Sequence, residues 1–184
     1  MAKPRAIHFT GNAEADELLA RDPFALLVGF ALDQQVTVPT AFLGPLKLKQ
    51  RLGHLDPAKI AALPDDELLA AFRQTPAVHR FPGNMAKRVR ELAATIADDY
   101  GGDASKVWAT KDTTELERRI RALPGFGEMK VVGLGSTLAK RLGVKVALPL
   151  VPDHPCLGDV DSPEALEAYQ AAKRAHKQAL RASS

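Results

Sequence analysis

The chain has 184 residues, of which 46% are hydrophobic and 26% charged. This is the composition of a globular domain, and it excludes a disordered or collagen-like chain. The 25 Lys and Arg residues against 22 Asp and Glu residues give a net charge of +3, which identifies no partner by itself. Because no segment approaches the about 18 uninterrupted apolar residues of a membrane span, and the N-terminal segment lacks the apolar core of a secretory signal, we expect a soluble, cytoplasmic protein.

Helix signals dominate the first half of the chain. Asp22-Pro23 and Asp56-Pro57 each place an N-cap before a proline at the first helical position, and acidic residues follow Pro64. The almost entirely apolar run 24–32 predicts a helix that is buried on most sides. Apolar residues at three- and four-residue steps over 85–100 predict a further helix that ends at Gly101-Gly102.

The second half predicts three more helices. Thr114 and Glu117 have the spacing of a capping box for a short helix that ends at Pro124-Gly125. The next helix is predicted from Glu128 to Leu142, with Gly143 as its C-cap. Ser162-Pro163 begins the last helix, which is predicted to run to about Arg181 and to pack through Leu166, Tyr169 and Leu180.

The segment between the last two helices carries three prolines, Pro149, Pro152 and Pro155. Proline excludes a helix interior, so a long irregular connection is expected, and such connections often carry function. The sequence as a whole predicts an all-α protein of about eight to ten short helices.

The segment Leu123–Gly127, with the sequence LPGFG, lies between two predicted helices and is followed by Lys130. Its two glycines allow a tight turn that leaves backbone N–H groups exposed at the start of the next helix, an arrangement that binds phosphate. A preceding strand and a Lys-Ser/Thr pair are absent, so nucleotide hydrolysis is a poor explanation. A nucleic-acid phosphate fits better, and an ordinary helix–helix turn is the alternative.

Three ordered motifs resemble one family. The segment ALPGFGEMKVVGLGSTLAKRLGV resembles the helix–hairpin–helix of the HhH-GPD superfamily of base-excision DNA glycosylases, which includes endonuclease III and 3-methyladenine DNA glycosylase II. The segment LLVGFALDQQVTVPTAF is similar to the glutamine-containing helix of those enzymes, and FPGNMAKRVRELA is similar to the helix before their hairpin. The resemblance spans about residues 24–155.

The resemblance implies an all-α fold with two lobes and double-stranded DNA that contains a damaged base across the cleft. One lobe would comprise 23–142, with the hairpin at about 115–142, and the other 1–22 together with 143–184. It implies a base excision repair enzyme, a DNA N-glycosylase that hydrolyses the N-glycosidic bond of an extruded base. We expect a monomer associated with the nucleoid.

The resemblance also assigns DNA-binding roles. Gly125, Phe126 and Gly127 correspond to the turn that grips the backbone, and Gln35 to the glutamine that fills the gap left by the extruded base. Gln34 and Gln35 are alternatively plain polar positions of a helix. The family often holds a monovalent cation, K⁺ or Na⁺, at hairpin carbonyls, here those of Leu123 and Gly125.

Breaking the N-glycosidic bond builds positive charge on the sugar, so a fixed carboxylate is the minimum machinery. Asp153, in VPDHP, best matches the catalytic Asp of the family, although its distance from the hairpin is longer than usual. Asp159 is the alternative, and Asp161 lies in the same loop. Turn formation or helix capping is the structural alternative for each.

Two departures from the family pattern constrain the mechanism. Bifunctional members carry a nucleophilic lysine where this chain has Met129, and Lys130 is one residue further, about 100° around a helix. We therefore expect a monofunctional glycosylase, with Lys130 serving as a charge for the DNA backbone. Cys156 is the only cysteine, which excludes a four-cysteine iron–sulfur cluster and an intramolecular disulfide.

The damaged base and some alternatives stay open. Pocket candidates are Gln34, Phe30, Phe42, Trp108 and Met129, although aromatic residues on helices belong to the core more often. The glutamine motif favours alkylated purines without excluding uracil or another deaminated base. A non-catalytic helix–hairpin–helix module that only binds DNA, and a bifunctional glycosylase/AP lyase that uses Lys130, are the alternative functions.

Overall fold

A computed structural model describes residues 3–184, and within this range the chain is all-α, with no strand. The α-helices are α1 (Ala13–Arg21), α2 (Pro23–Leu32), α3 (Val38–Leu52), α4 (Pro57–Ala62), α5 (Asp65–Arg73), α6 (Pro82–Tyr100), α7 (Thr113–Arg121), α8 (Glu128–Lys140) and α9 (Pro163–Ala182). Short 3₁₀ helices lie at Ala104–Trp108, Lys145–Leu150 and Leu157–Asp159. The all-α prediction is confirmed.

Helix α2 lies at the centre of the fold. Every residue from Phe24 to Leu32 is buried, as the apolar run predicts. The Asp22 side chain caps the helix by accepting hydrogen bonds from the N–H groups of Phe24 (2.9 Å) and Ala25 (3.2 Å), and Pro23 fixes the first turn. Helices α1, α3, α6 and the first 3₁₀ helix all contact α2, so these elements pack around α2.

Side chains of one hydrophobic cluster run through most of the chain. The cluster extends from Ile7 and Phe9, before α1, to Leu166 in α9. It therefore draws residues from both lobes expected from the sequence, and the division into lobes stays a prediction. None of the helices in the described range is both long and apolar enough for a membrane crossing.

The predicted caps of α7 and α8 need correction. Asp112 rather than Thr114 caps α7, because its carboxylate accepts the N–H of Thr114 at 3.0 Å. Glu117 lies on the helix surface and pairs with Arg121. Helix α8 ends at Lys140, earlier than expected, and Gly143 adopts a φ of 67° beyond the helix end.

The last two segments also differ from expectation. The proline-containing connection forms two 3₁₀ helices, and Pro149 lies inside the first, because a 3₁₀ turn of this length needs few backbone N–H donors. In α9, Leu166 is buried and Tyr169 is half-buried, whereas Leu180 is 57% exposed. The prediction that Leu180 packs on the second lobe is wrong, since the helix from 171 onward is exposed on all sides.

We expect Gly29→Ala to destabilise the fold by about 1–3 kcal/mol. A Cβ at Gly29 would lie 2.2 Å from Cδ1 of Phe42, at the packed contact of α2 with α3. Gly83→Ala, in the first turn of α6 with nothing within 4 Å of the added carbon, is the matched control. It should leave stability unchanged or raise it by up to about 1 kcal/mol. Urea unfolding measures both, and equal midpoints would contradict the close α2–α3 approach.

Candidate nucleic-acid interface

The turn between α7 and α8 combines two buried apolar side chains with two exposed glycines. Leu123 and Phe126 are buried, whereas Gly125 and Gly127 are exposed. The N–H of Phe126 donates to the carbonyl of Leu123 at 3.1 Å and closes the turn. Its buried side chains therefore anchor a hairpin whose glycine backbone faces solvent.

Gly125 leaves room for the guanidinium group of Arg88. Its φ is +76°, in the left-handed region that glycine adopts without strain. A Cβ at this position would lie 1.8 Å from an Nη of Arg88. The guanidinium of α6 therefore lies directly against the hairpin turn.

The start of α8 carries no side-chain cap. Gly127 precedes the helix with a φ of −94° and a ψ of −168°, and no side chain accepts a hydrogen bond from the first turn. Nothing lies within 4 Å of a Cβ built on Gly127. Uncapped N–H groups at a helix N-terminus and the positive end of its dipole favour an anion in this open space.

The segment after α2 exposes the two glutamines of the motif. Gln34 and Gln35 are exposed, and Gln35 has a φ of 57°, which non-glycine residues rarely adopt. His79, buried before α6, bonds through Nε2 to the carbonyls of Leu32 (3.1 Å) and Gln34 (3.0 Å). Its Nδ1 accepts the N–H of Phe81, which assigns the proton to Nε2. Burial lowers the pKa of His79, so this clamp holds the glutamine segment with a neutral imidazole.

Lys130 lies partly inside the molecule rather than free at the surface. Its Nζ donates to the carbonyl of Ala31 at 3.3 Å and lies 5.6 Å from the centre of the Phe126 ring. A cation is favourable here because the last carbonyls of α2 have no partner within the helix. Burial and the nearby Arg88 lower the pKa of Lys130, while Asp33 raises it. The ammonium group that was expected to bind the DNA backbone is therefore hydrogen-bonded to the end of α2.

The three motifs found in the sequence meet in space. Lys130 joins the hairpin to the end of α2, and Arg88 joins the hairpin to α6. A depression of ≈ 250 Å³ is lined by Gln34, Asn84, Met85, Lys87, Arg88 and Glu91. The glutamine segment and the start of α6 thus form a continuous surface beside the hairpin.

The basic residues of α7 do not add free charge to this surface. Arg118 and Arg119 pair with Glu115, and Arg121 pairs with Glu117 and Glu128. The ion pair of Arg121 with Glu128, at 2.5 Å, bridges α7 and α8. These arginines stabilise the hairpin, and Lys87 and Arg88 supply the cations beside the depression.

The structure places the two candidate carboxylates differently. Asp153 is exposed, and within the described residues it accepts no hydrogen bond and forms no ion pair. Asp159 accepts the N–H of Cys156 at 2.9 Å and pairs with Lys140. Burial raises the pKa of the Asp159 carboxyl. Lys140 and the N–H of Cys156 lower this pKa by more, so the net effect is a decrease. Asp159 therefore caps the third 3₁₀ helix, which is the structural alternative foreseen for it.

The aromatic pocket candidates need correction. Phe30 and Phe42 are buried to 1% and 0% exposure, and their rings pack edge to face at 5.0 Å. They are core residues and line no open pocket. Trp108 is half-buried against the core, and Met129 is 83% exposed beside the hairpin, so Met129 alone of these four presents an apolar side chain to solvent at the candidate interface.

The hairpin carbonyls are compatible with a monovalent cation. The Leu123 carbonyl accepts one hydrogen bond, from Phe126, and retains a second lone pair. Within the described residues the Gly125 carbonyl accepts none. Within the described residues these two oxygens therefore keep free lone pairs, which the predicted cation site requires.

Sequence reasoning missed three residues of this surface: Asp33, His79 and Arg88. Asp33 immediately precedes the two glutamines, His79 lies shortly before the FPGN segment, and Arg88 follows Lys87 within the segment FPGNMAKRVRELA. Their proximity to the motifs was visible, but their contacts with α2 and the hairpin depend on the tertiary fold.

The arrangement defines an all-α protein with an exposed helix–hairpin–helix. Residues 28–181 match the family described as HhH-GPD superfamily base excision DNA repair protein. The chain therefore belongs to the HhH-GPD superfamily, and the resemblance seen in the sequence is confirmed. This membership implies a DNA-glycosylase type of function in base excision repair, with DNA as the partner. No curated protein and no solved structure matches the chain.

Gly125→Ala should destabilise the protein by about 1–2 kcal/mol from the left-handed φ alone, with a further loss from displacement of Arg88. Gly127→Ala should be nearly neutral, because its backbone conformation suits any residue and its Cβ meets open space. Thermal or urea unfolding compares the two variants. If Gly127→Ala proved the more damaging substitution, the described turn geometry would be wrong.

Proposed function

We propose that this chain is a monofunctional DNA glycosylase, acting as a monomer on duplex DNA that contains a damaged base. The convergence of the hairpin, the glutamine segment and the start of α6 on one surface supports the proposal. The uncapped amides at Gly127 would bind a backbone phosphate, and Gln35 would occupy the gap left by the extruded base. A cation at the carbonyls of Leu123 and Gly125 would strengthen the phosphate contact.

The proposed chemistry is hydrolysis of the N-glycosidic bond. Asp153 is the sequence-based candidate for the carboxylate that stabilises the oxocarbenium ion and orients water. Its exposed, unpaired side chain supports that role over Asp159, whose oxygens are occupied by Cys156 and Lys140. Water as the nucleophile agrees with the absence of a lysine at the position of Met129.

A second candidate, the bifunctional glycosylase/AP lyase, is favoured by one observation. Burial lowers the pKa of Lys130, and an amine must lose its proton before it attacks the sugar as a nucleophile. Its hydrogen bond to the Ala31 carbonyl, however, directs the amine toward the end of α2.

Gly127→Ala is expected to weaken binding to duplex DNA by about 10-fold, because it obstructs a charge-assisted phosphate contact. The loss should be equal for all sequences, since a phosphate carries no base information. Lys87→Gln should reduce the slope of log K against log salt by about 1, whereas Lys59→Gln, exposed on α4, should not. Fluorescence anisotropy at several salt concentrations measures these effects. A sequence-selective loss with Gly127→Ala would contradict the phosphate contact.

Excision from duplexes that carry uracil, hypoxanthine, 8-oxoguanine or 7-methylguanine tests the enzyme activity. Wild type should release at least one of these bases, and Asp153→Asn should slow the release by about 100-fold or more. Absence of release from every duplex favours the non-catalytic module. Borohydride trapping on abasic DNA distinguishes the two enzymes: a covalent adduct that Lys130→Gln abolishes would establish the lyase, and its absence supports hydrolysis by water.

A further inference from the structure

Asp33 occupies an unfavourable position for a carboxylate. It is half-buried and is the C-cap of α2, where its N–H donates to the carbonyl of Phe30 at 3.2 Å. The C-terminal end of a helix carries the negative end of the dipole and unpaired carbonyls, so an anion is disfavoured there. Nothing about the helix end requires an acid at this position.

Asp33 also lacks the partners that other half-buried or buried acids have. Asp22 accepts two backbone N–H groups, and Asp16 accepts the N–H and the hydroxyl of Thr10. Within residues 3–184, no side chain or backbone group donates a hydrogen bond to Asp33, and no cation lies within ion-pair distance of it. Asp33 is not one of the fully buried polar groups that lack a partner, so its carboxylate is open to solvent and available to a bound substrate.

Two lysines and a tyrosine lie near Asp33. Lys130 of α8 and Lys173 of α9 lie within electrostatic reach of its carboxylate. Tyr169 of α9 lies close enough for the Asp33 charge to affect it, and Lys173 Nζ is 5.9 Å from the centre of its ring. We call Asp33, Lys130, Tyr169 and Lys173 the Asp33 cluster. Asp33 directly precedes Gln34 and Gln35 in the chain, and the proposed function places Gln35 in the gap left by the extruded base.

We propose that Asp33 is a catalytic acid that protonates the departing base, and that the substrate is therefore an uncharged damaged base. The inference rests on the proposed glycosylase function. The Asp33 carboxyl would give its proton to a ring nitrogen as the C1′–N bond breaks and its electron pair leaves with the base. Water would then add its oxygen to C1′, and the proton it loses would return to the Asp33 carboxylate.

The charges of the cluster support this choice of substrate. A base alkylated on a ring nitrogen, such as 7-methylguanine, already carries a positive charge and leaves as a neutral molecule without protonation. The ammonium groups of Lys130 and Lys173 would repel it. A deaminated base such as hypoxanthine or uracil is neutral and benefits from an acid. Burial raises the pKa of Asp33, against the lowering effect of the two lysines, which favours the protonated form that donation requires.

Single-turnover excision by Asp33→Asn tests the inference, with hypoxanthine, uracil and 7-methylguanine duplexes as probes. We expect wild type to release a neutral base and Asp33→Asn to lose about 100-fold or more of that rate. Asp98→Asn, which removes the same charge from an exposed position on α6, is the matched control and should match wild type. Binding to abasic DNA should be similar for all three proteins.

Three outcomes of the excision experiment would overturn the inference. If wild type releases a neutral base and Asp33→Asn releases it equally fast, Asp33 is not the acid, and the proposed function stands. If wild type releases only 7-methylguanine, the substrate class is wrong and the proposed function again stands. If wild type releases no base from any duplex, the proposed function fails together with the inference.

The pH dependence gives a second readout that needs no variant. The wild-type rate should fall as the pH rises through the raised pKa of Asp33, and the absence of this limb would overturn the inference. The groups that face Asp33 are Lys130, Lys173 and Tyr169, and burial raises the pKa of Tyr169 to about 12, so Tyr169 does not produce a limb near neutral pH. Beyond these groups, Arg88 lowers the pKa of Lys130, and Lys130 lowers the pKa of His79.

Stability distinguishes a catalytic from a structural role. The folded chain holds the Asp33 proton more tightly than the unfolded chain, whose pKa is near 3.8. Stability therefore falls as the pH rises from below 3.8 through the raised pKa, and the penalty persists at neutral pH. Asp33→Asn removes this penalty, so its urea midpoint at pH 7 should equal or exceed that of wild type. A lower midpoint would indicate a structural role and overturn the inference.

Discussion

The fold depends on how the carbonyl end of α2 is satisfied. A helix buried on all sides cannot leave its last carbonyls to water, so other parts of the chain must supply donors. His79 supplies one from the segment before α6, and Lys130 supplies another from α8. Both donors come from segments that resemble family motifs or lie beside them. The requirement that closes the core therefore also sets the hairpin beside the glutamine segment.

Local signals in the sequence were sufficient for most of the helices. Caps at Asp22, Asp56 and Ser162 act within a few residues, so they can be read without knowledge of the fold. The signal failed at α7, where Asp112 and Thr114 are both good caps and only the backbone geometry selects Asp112. It failed at Leu180 because an apolar residue at helical spacing does not reveal whether a partner surface exists.

The hairpin could be predicted from sequence, whereas the side chains around it could not. The glycines at 125 and 127 are local requirements of a tight turn, and their order along the chain is distinctive. Aromatic residues give no such signal: Phe30 and Phe42 have the same local pattern whether they line a pocket or fill the core. The roles of Arg88 and Asp33 follow from burial against other helices, which depends on the whole fold.

Burial acts on Lys130 and Asp33 in opposite directions, and this connects the fold to the proposed chemistry. A low-dielectric environment disfavours both charges, so it lowers the pKa of the amine and raises that of the acid. Their mutual attraction opposes this, because each charge favours the charged form of the other group. Bound DNA would exclude more water and so add to the effect of burial on the Asp33 carboxyl. Burial thus favours the neutral carboxyl at Asp33, which is the form that the proposed acid-catalysed release of a neutral base requires.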